Sequence, residues 1–183
     1  MSDDEPATRA GEVSDDASPV EIDRSPAVVS SALALLAGTV GLAATAFGSA
    51  AALAPGTLGI AAVAVGVIRG SRRALLVGSG ALFGGVLLAG ASGAGPEPLF
   101  VGTLGAVLAW DVGENGIGIG EQLGRAAETA RAELVHAAAG LLVGAFATVV
   151  GYGAYVAAAG GQPIAALVFL LFGVVALVSA LRP

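Results

Sequence analysis

The sequence predicts an all-α fold: an integral membrane bundle of six transmembrane helices behind a disordered acidic N-terminal tail. Three observations carry this. Runs without an acidic or basic side chain other than histidine extend from Ser25 to Ile68, Ala74 to Pro96 and Leu134 to Leu181, lengths of 44, 23 and 48 residues. Roughly 20 apolar residues suffice to cross a bilayer. Of 183 residues 56 % are hydrophobic and only 12 % charged, about half the charged share of an ordinary soluble domain. The 29 glycines lie among Ala, Val and Leu without a three-residue period, which excludes collagen and flexible linkers.

The tail, residues 1–24, holds eight acids and two arginines for a net charge of −6, with no aromatic residue. Such a segment cannot bury enough apolar surface to offset its ordering entropy, so it is expected to be disordered and solvated. No secretory signal is expected, because the region before the first apolar run is acidic rather than basic. Residues 25–183 form the membrane domain. Gly48-Ser49 and Pro55-Gly56 interrupt the first run, giving spans at about 27–49 and 53–69. A basic loop, Arg69-Gly70-Ser71-Arg72-Arg73, leads to a third span at 74–91, which ends at Gly93-Ala94-Gly95-Pro96. The fourth is short, 98–111, ending where Trp110-Asp111 reads as an interfacial exit. A cytoplasmic loop with an amphipathic helix is expected over 112–134. Its apolar face is Leu123, Ala127, Ala130 and Leu134, and its ion pairs are Glu121/Arg125 and Glu128/Arg131. Spans at 135–158 and 164–181 follow, joined by Gly160-Gly161-Gln162-Pro163.

Orientation follows from the arginines, which are all eight of the basic residues. If the fourth segment crosses, a cytoplasmic N-terminus puts every arginine inside and leaves only Glu97 outside; if it is re-entrant, Arg125, Arg131 and Arg182 move out. Six crossings with both termini cytoplasmic, in the cell membrane, satisfy the rule better. Lipid offers no hydrophobic drive between helices, so small residues must let backbones approach. Four-residue spacings supply them at Ala37/Gly41/Thr45/Ser49, Ala62/Gly66/Gly70, Gly80/Gly84 and Gly140/Gly144/Thr148.

No candidate site survives inspection. Gly90-Ala91-Ser92-Gly93 matches the Gly-x-Ser-Gly pattern of rhomboid-like proteases, and His136 is the only histidine. On this topology the two lie at opposite faces of a roughly 30 Å core, beyond the hydrogen-bond reach a dyad needs. Gly116-Ile117-Gly118-Ile119-Gly120 invites a phosphate-loop reading, but no Lys-Ser/Thr follows and Glu121 stands where an anion would bind. With no cysteine, disulfides and thiolate chemistry are excluded. His136 reads as an interfacial residue, since no second histidine or acid is spaced to share a metal with it. Asp111 and Glu114 are the acids that could slide inward if the fourth segment is longer, and they head a transport reading. Arg72 and Arg73 read as topology determinants first and anionic-lipid contacts second. Catalytic, cofactor-binding and metal residues are therefore all expected to be none.

An acidic tail, no lysine, no cysteine and an Ala/Gly/Val/Arg vocabulary fit a GC-rich extreme halophile, with a GC-rich soil bacterium the alternative. Trp110 to Gly116, Glu121-Gln122-Leu123-Gly124-Arg125 and Arg131 to His136 resemble a family of uncharacterised haloarchaeal multi-span membrane proteins. Their genes often lie near those of a MoxR-type AAA ATPase. The resemblance runs from about residue 25 onward and implies a source and a partner but no functional residue. The expectation is a non-catalytic structural or assembly component of a membrane complex; a small transporter or channel subunit is the alternative. Its contacts would be the bilayer and a membrane or cytoplasmic protein at 111–136, not nucleic acid.

Overall fold

The structure, a computed structural model, describes residues 22–158. Residues 1–21 of the tail, the turn at 160–163, the span expected at 164–181 and Arg182 lie outside the described residues. Five helices make up the rest: α1 (Val28–Gly48), α2 (Leu53–Arg69) after a 3-10 turn at Ala50–Ala52, α3 (Arg72–Ala91), α4 (Pro96–Leu123) and α5 (Ala130–Ala158). Among them α1, the stretch Ala50–Arg69, α3 and Ala130–Ala157 are each long and apolar enough to cross a membrane.

The first three helices match the sequence reading within a residue or two, and their ends explain why. Ser49 terminates α1 and its hydroxyl caps the 3-10 turn. Pro55 does not break the chain as expected; it falls in the first turn of α2, where a missing N–H costs nothing. Gly70 closes α2 with a φ of 66°, a left-handed cap that favours glycine. Ser71 then accepts from the Ala74 N–H at 3.3 Å, so α3 starts at Arg72.

The fourth segment departs from expectation. It does not leave helix at Asp111 but continues to Leu123, 28 residues in all, about 42 Å at 1.5 Å per residue. The glycines and Asn115, read as loop residues, instead lie on or beside a buried stripe of Gly102, Gly105, Ala109, Gly113, Gly116 and Gly120. A Cβ at Gly113 would stand 2.8 Å from Leu75, and one at Gly116 2.7 Å from Ser30. Each glycine costs about 1 kcal/mol of helix propensity against alanine, and close packing along α1 and α3 offsets it. The amphipathic helix expected at 112–134 is therefore absent: residues 121–123 finish α4, a turn occupies 124–129, and α5 starts at Ala130 rather than 135. Neither expected ion pair forms. Glu121 meets Arg72, and Arg125 donates to the Ser25 hydroxyl.

Packing runs through small residues, as expected, with one face misassigned. Gly41 on α1 meets Gly102 and Gly105 of α4, and Gly66 on α2 meets Leu75. Gly80 and Gly84 have open space around them; Gly78 and Gly85 make the close approaches of α3, Gly78 against Gly59 and Val63 of α2. The core lies among the first four helices, with Ala34 of α1, Val63 of α2, Leu75 and Leu82 of α3, and Ala106 and Ala109 of α4 nearly inaccessible.

The bundle has two unlike ends. At one, α1 begins, α2 hands over to α3, α4 stops and α5 starts, and Arg24, Arg69, Arg72, Arg73, Arg125 and Arg131 all lie there. The last residues of the predicted tail are tied into it. Asp23 accepts the Arg125 N–H at 2.8 Å through its backbone, and Ile22 packs on Gly124. A hydrogen bond from Ser25, with Arg125 nearby, holds the Asp23 carboxyl below the usual carboxylate range. At the opposite end Glu97 is the one charged side chain among the described residues, accepting from the Tyr152 hydroxyl at 2.9 Å. Phe100 and Tyr155 flank that tyrosine. Helix α4 joins the two ends without interruption.

Candidate functional site: a polar cleft between α3, α4 and α5

Continuation of α4 past Asp111 carries polar residues alongside the starts of α3 and α5. A cleft of 440 Å3 results, lined among others by Arg72, Asp111, Glu114, Asn115, Gln122 and His136. Asp111 and Glu114 lie three apart and share a helix face with Gly118 and Gln122. Arg72, the first residue of α3, reaches across as a fork: one guanidinium nitrogen contacts the Glu114 carboxylate and the other the Glu121 carboxylate at 2.7 Å. The two acids are seven residues apart, two turns of one helix face, which suits a single arginine spanning both.

His136 approaches Asp111 from α5, with Nε2 3.1 Å from Oδ2. The approach is close but poorly directed: Nε2 makes no hydrogen bond of proper angle and has no other partner among the described residues. Gly140, one turn farther along α5, leaves room for the carboxylate, since a Cβ there would stand 3.1 Å from Oδ2. His136 and Gly140 thus bracket Asp111 on one face of α5. Both side chains of the pair are about two-fifths exposed. Asp111, 25 residues away in sequence, thus stands beside His136, a neighbour that only the continuation of α4 brings there.

Glu133 is the residue that sequence reasoning overlooked. It is 3 % exposed, accepting from the Ser30 N–H at 2.6 Å through one oxygen and the Thr129 hydroxyl at 2.9 Å through the other. Helix α1 has no capping side chain of its own, so an acid 103 residues away caps it, at the end where a helix dipole favours negative charge. The available signal was an Ala-Val-Val start with no Ser, Thr, Asp or Asn at the cap.

The rejected sites stay apart. Ser92 follows the last residue of α3, its hydroxyl bonded to the Leu88 carbonyl at 2.7 Å, whereas His136 shares a cleft with Arg72 at the other end of that helix. The 20 residues of α3 put about 30 Å between those ends. Gly116, Gly118 and Gly120 are helical and form no phosphate loop. Among the described residues no three histidine or acidic side chains are placed to hold a metal.

A family model described as a family of unknown function, DUF7519, matches residues 24–178 of the chain. No curated protein and no solved structure matches it.

Proposed function

We propose that this chain, which belongs to the DUF7519 family of unknown function, is a polytopic membrane protein acting as a non-catalytic structural or assembly component of a membrane complex. Its arginine end and both termini face the cytoplasm, in the cell membrane. The observation that carries the reading is the gathering of Arg72, Asp111, Glu114, Asn115, Gln122 and His136 into one cleft at the end where all six described arginines lie. The arginines favour that end as cytoplasmic. The remaining helix surface is largely apolar, with Leu58, Leu76, Leu87 and Phe146 at least 60 % exposed, and suits lipid. The cleft is the most chemically specific surface a cytoplasmic or membrane partner could read, and an AAA ATPase of the kind the resemblance implies is one candidate.

The test is site-specific photo-crosslinking in native membranes. A probe at Gln122 should capture one identified partner that co-purifies with the untagged complex, and Asp111→Asn with Glu114→Gln should abolish capture. A probe at Leu87, on the lipid-exposed face, should capture none. Equal adducts at both positions would end the assembly reading.

A second reading, a small transporter, draws on the Asp111–His136 contact inside two long helices. Ionisable groups at membrane depth are expensive and usually kept for function. It requires solute or proton flux in reconstituted vesicles that Asp111→Asn removes.

A further inference from the structure

Two clefts follow one another along the seam between α1 and α5, on the side of α4 away from the polar cleft. The outer one, 480 Å3, lies at the arginine end and is lined among others by Val28, Val29, Arg125, Glu128, Arg131 and Glu133. The inner one, 410 Å3, starts about a turn deeper and is apolar, with Leu33, Leu36 and Val40 from α1 facing Leu134, Ala137 and Leu141 from α5. Leu36, Val40, Leu134 and Leu141 are all half or more exposed, so among the described residues this cleft opens outward.

Its chemistry differs in sign from that of the polar cleft. There Arg72 is already engaged by two carboxylates. Here Arg125 donates only to the neutral Ser25 hydroxyl, and Arg131 has no acceptor among the described residues. Both oxygens of Glu133 are committed to Ser30 and Thr129, which leaves Glu128, exposed on the rim, and Asp23, held by Ser25 with Arg125 nearby, as the opposing charges. The Val28 and Val29 N–H groups, first in α1, find no acceptor among the described residues. Twelve residue rises from Val28 to Val40 measure about 18 Å, close to one leaflet of a roughly 30 Å core.

We propose that the α1–α5 seam holds one anionic phospholipid, its phosphate between Arg125 and Arg131 and one acyl chain along the apolar cleft. Basic pockets between membrane helices recognise anionic headgroups, and the adjoining cleft adds the chain that a free phosphate lacks. The inference needs membrane embedding, tested separately by retention in alkali-washed membranes, and is independent of any partner at the polar cleft.

The experiment uses the full chain purified in neutral detergent, with phosphatidylglycerol or phosphatidylcholine added and bound lipid counted by native mass spectrometry. One phosphatidylglycerol per chain should be retained in preference to phosphatidylcholine. Arg125→Gln with Arg131→Gln should weaken retention about tenfold or more. Arg69→Gln with Arg73→Gln, at the same end but outside the cleft, should leave it unchanged. Val40→Trp, filling the inner cleft from an exposed position, should weaken retention with both arginines present, and Leu134→Trp should repeat the effect. Equal loss in the two arginine pairs would reduce the effect to diffuse charge and overturn the proposal. So would indifference to both tryptophans together with displacement by inorganic phosphate, or binding only after removal of residues 1–21, which would make the acidic tail the occupant.

Discussion

Helix α4 packs on α1 along one side and on α5 along the other, and the two seams are built differently. The α1 seam brings backbone against backbone at Gly41 and Gly105, where a Cβ added to Gly105 would stand 2.7 Å from the Gly41 Cα, and one added to Gly102 would meet the Thr45 side chain. The α5 seam is bordered by clefts and holds Asp111, His136 and the approach to Glu133. None of the most apolar stretch of α5 is buried, against 28 % for α1. One seam is closed by small residues, and the other holds polar groups beside open clefts, with Glu133 tying it to the start of α1.

The sharpest way to break the comparison is to enlarge the tight seam. Gly105→Leu places a side chain where a Cβ already comes within 2.6 Å of the Ala37 carbonyl, and overpacking of this kind costs about 1–3 kcal/mol or more. We expect loss of monodisperse protein in detergent, while Gly80→Leu, in open space, behaves as wild type. Next in size is Glu133→Ala, which leaves the buried Ser30 N–H without its acceptor at a cost of about 1–3 kcal/mol. A lowered melting temperature should show it, with Glu133→Gln recovering part of the loss through its remaining carbonyl oxygen.

Smaller effects sharpen the distinction within the loose seam. Arg72→Gln frees two partly exposed carboxylates and should cost no more than about 1 kcal/mol, read as a small shift in the same melting assay. Asp111→Asn should change stability least, because among the described residues its one close side-chain partner is a poorly aligned imidazole, yet it should abolish partner capture at Gln122.

Much of the fold was legible in the sequence because hydropathy and breakers mark helix ends directly. Gly70 and Ser71 placed one turn, and Ser49 another. Helix α4 was misread because its C-terminal half combines acids, Asn115 and glycines, a loop vocabulary by local propensity. Only the neighbours, Ser30 and Leu75 among them, show that those glycines are contact points. The site was hidden for the same reason. Ending the helix at Asp111 kept Asp111, Glu114 and His136 in separate elements, and the trans cap by Glu133 has no local signature beyond an uncapped α1.

The proposed topology has α4 crossing the membrane and returning the turn at 124–129 to the side of the basic loop at 69–73. The absence of cysteine permits single probes at Ser71, Ala126 and Ser92, labelled in intact cells with a membrane-impermeant thiol reagent. The account predicts that Ser92→Cys labels from outside while Ser71→Cys and Ala126→Cys label only after permeabilisation. Labelling of Ala126→Cys together with Ser92→Cys from outside would contradict it, making α4 re-entrant and moving Arg125, Arg131 and both α5 clefts to the other face.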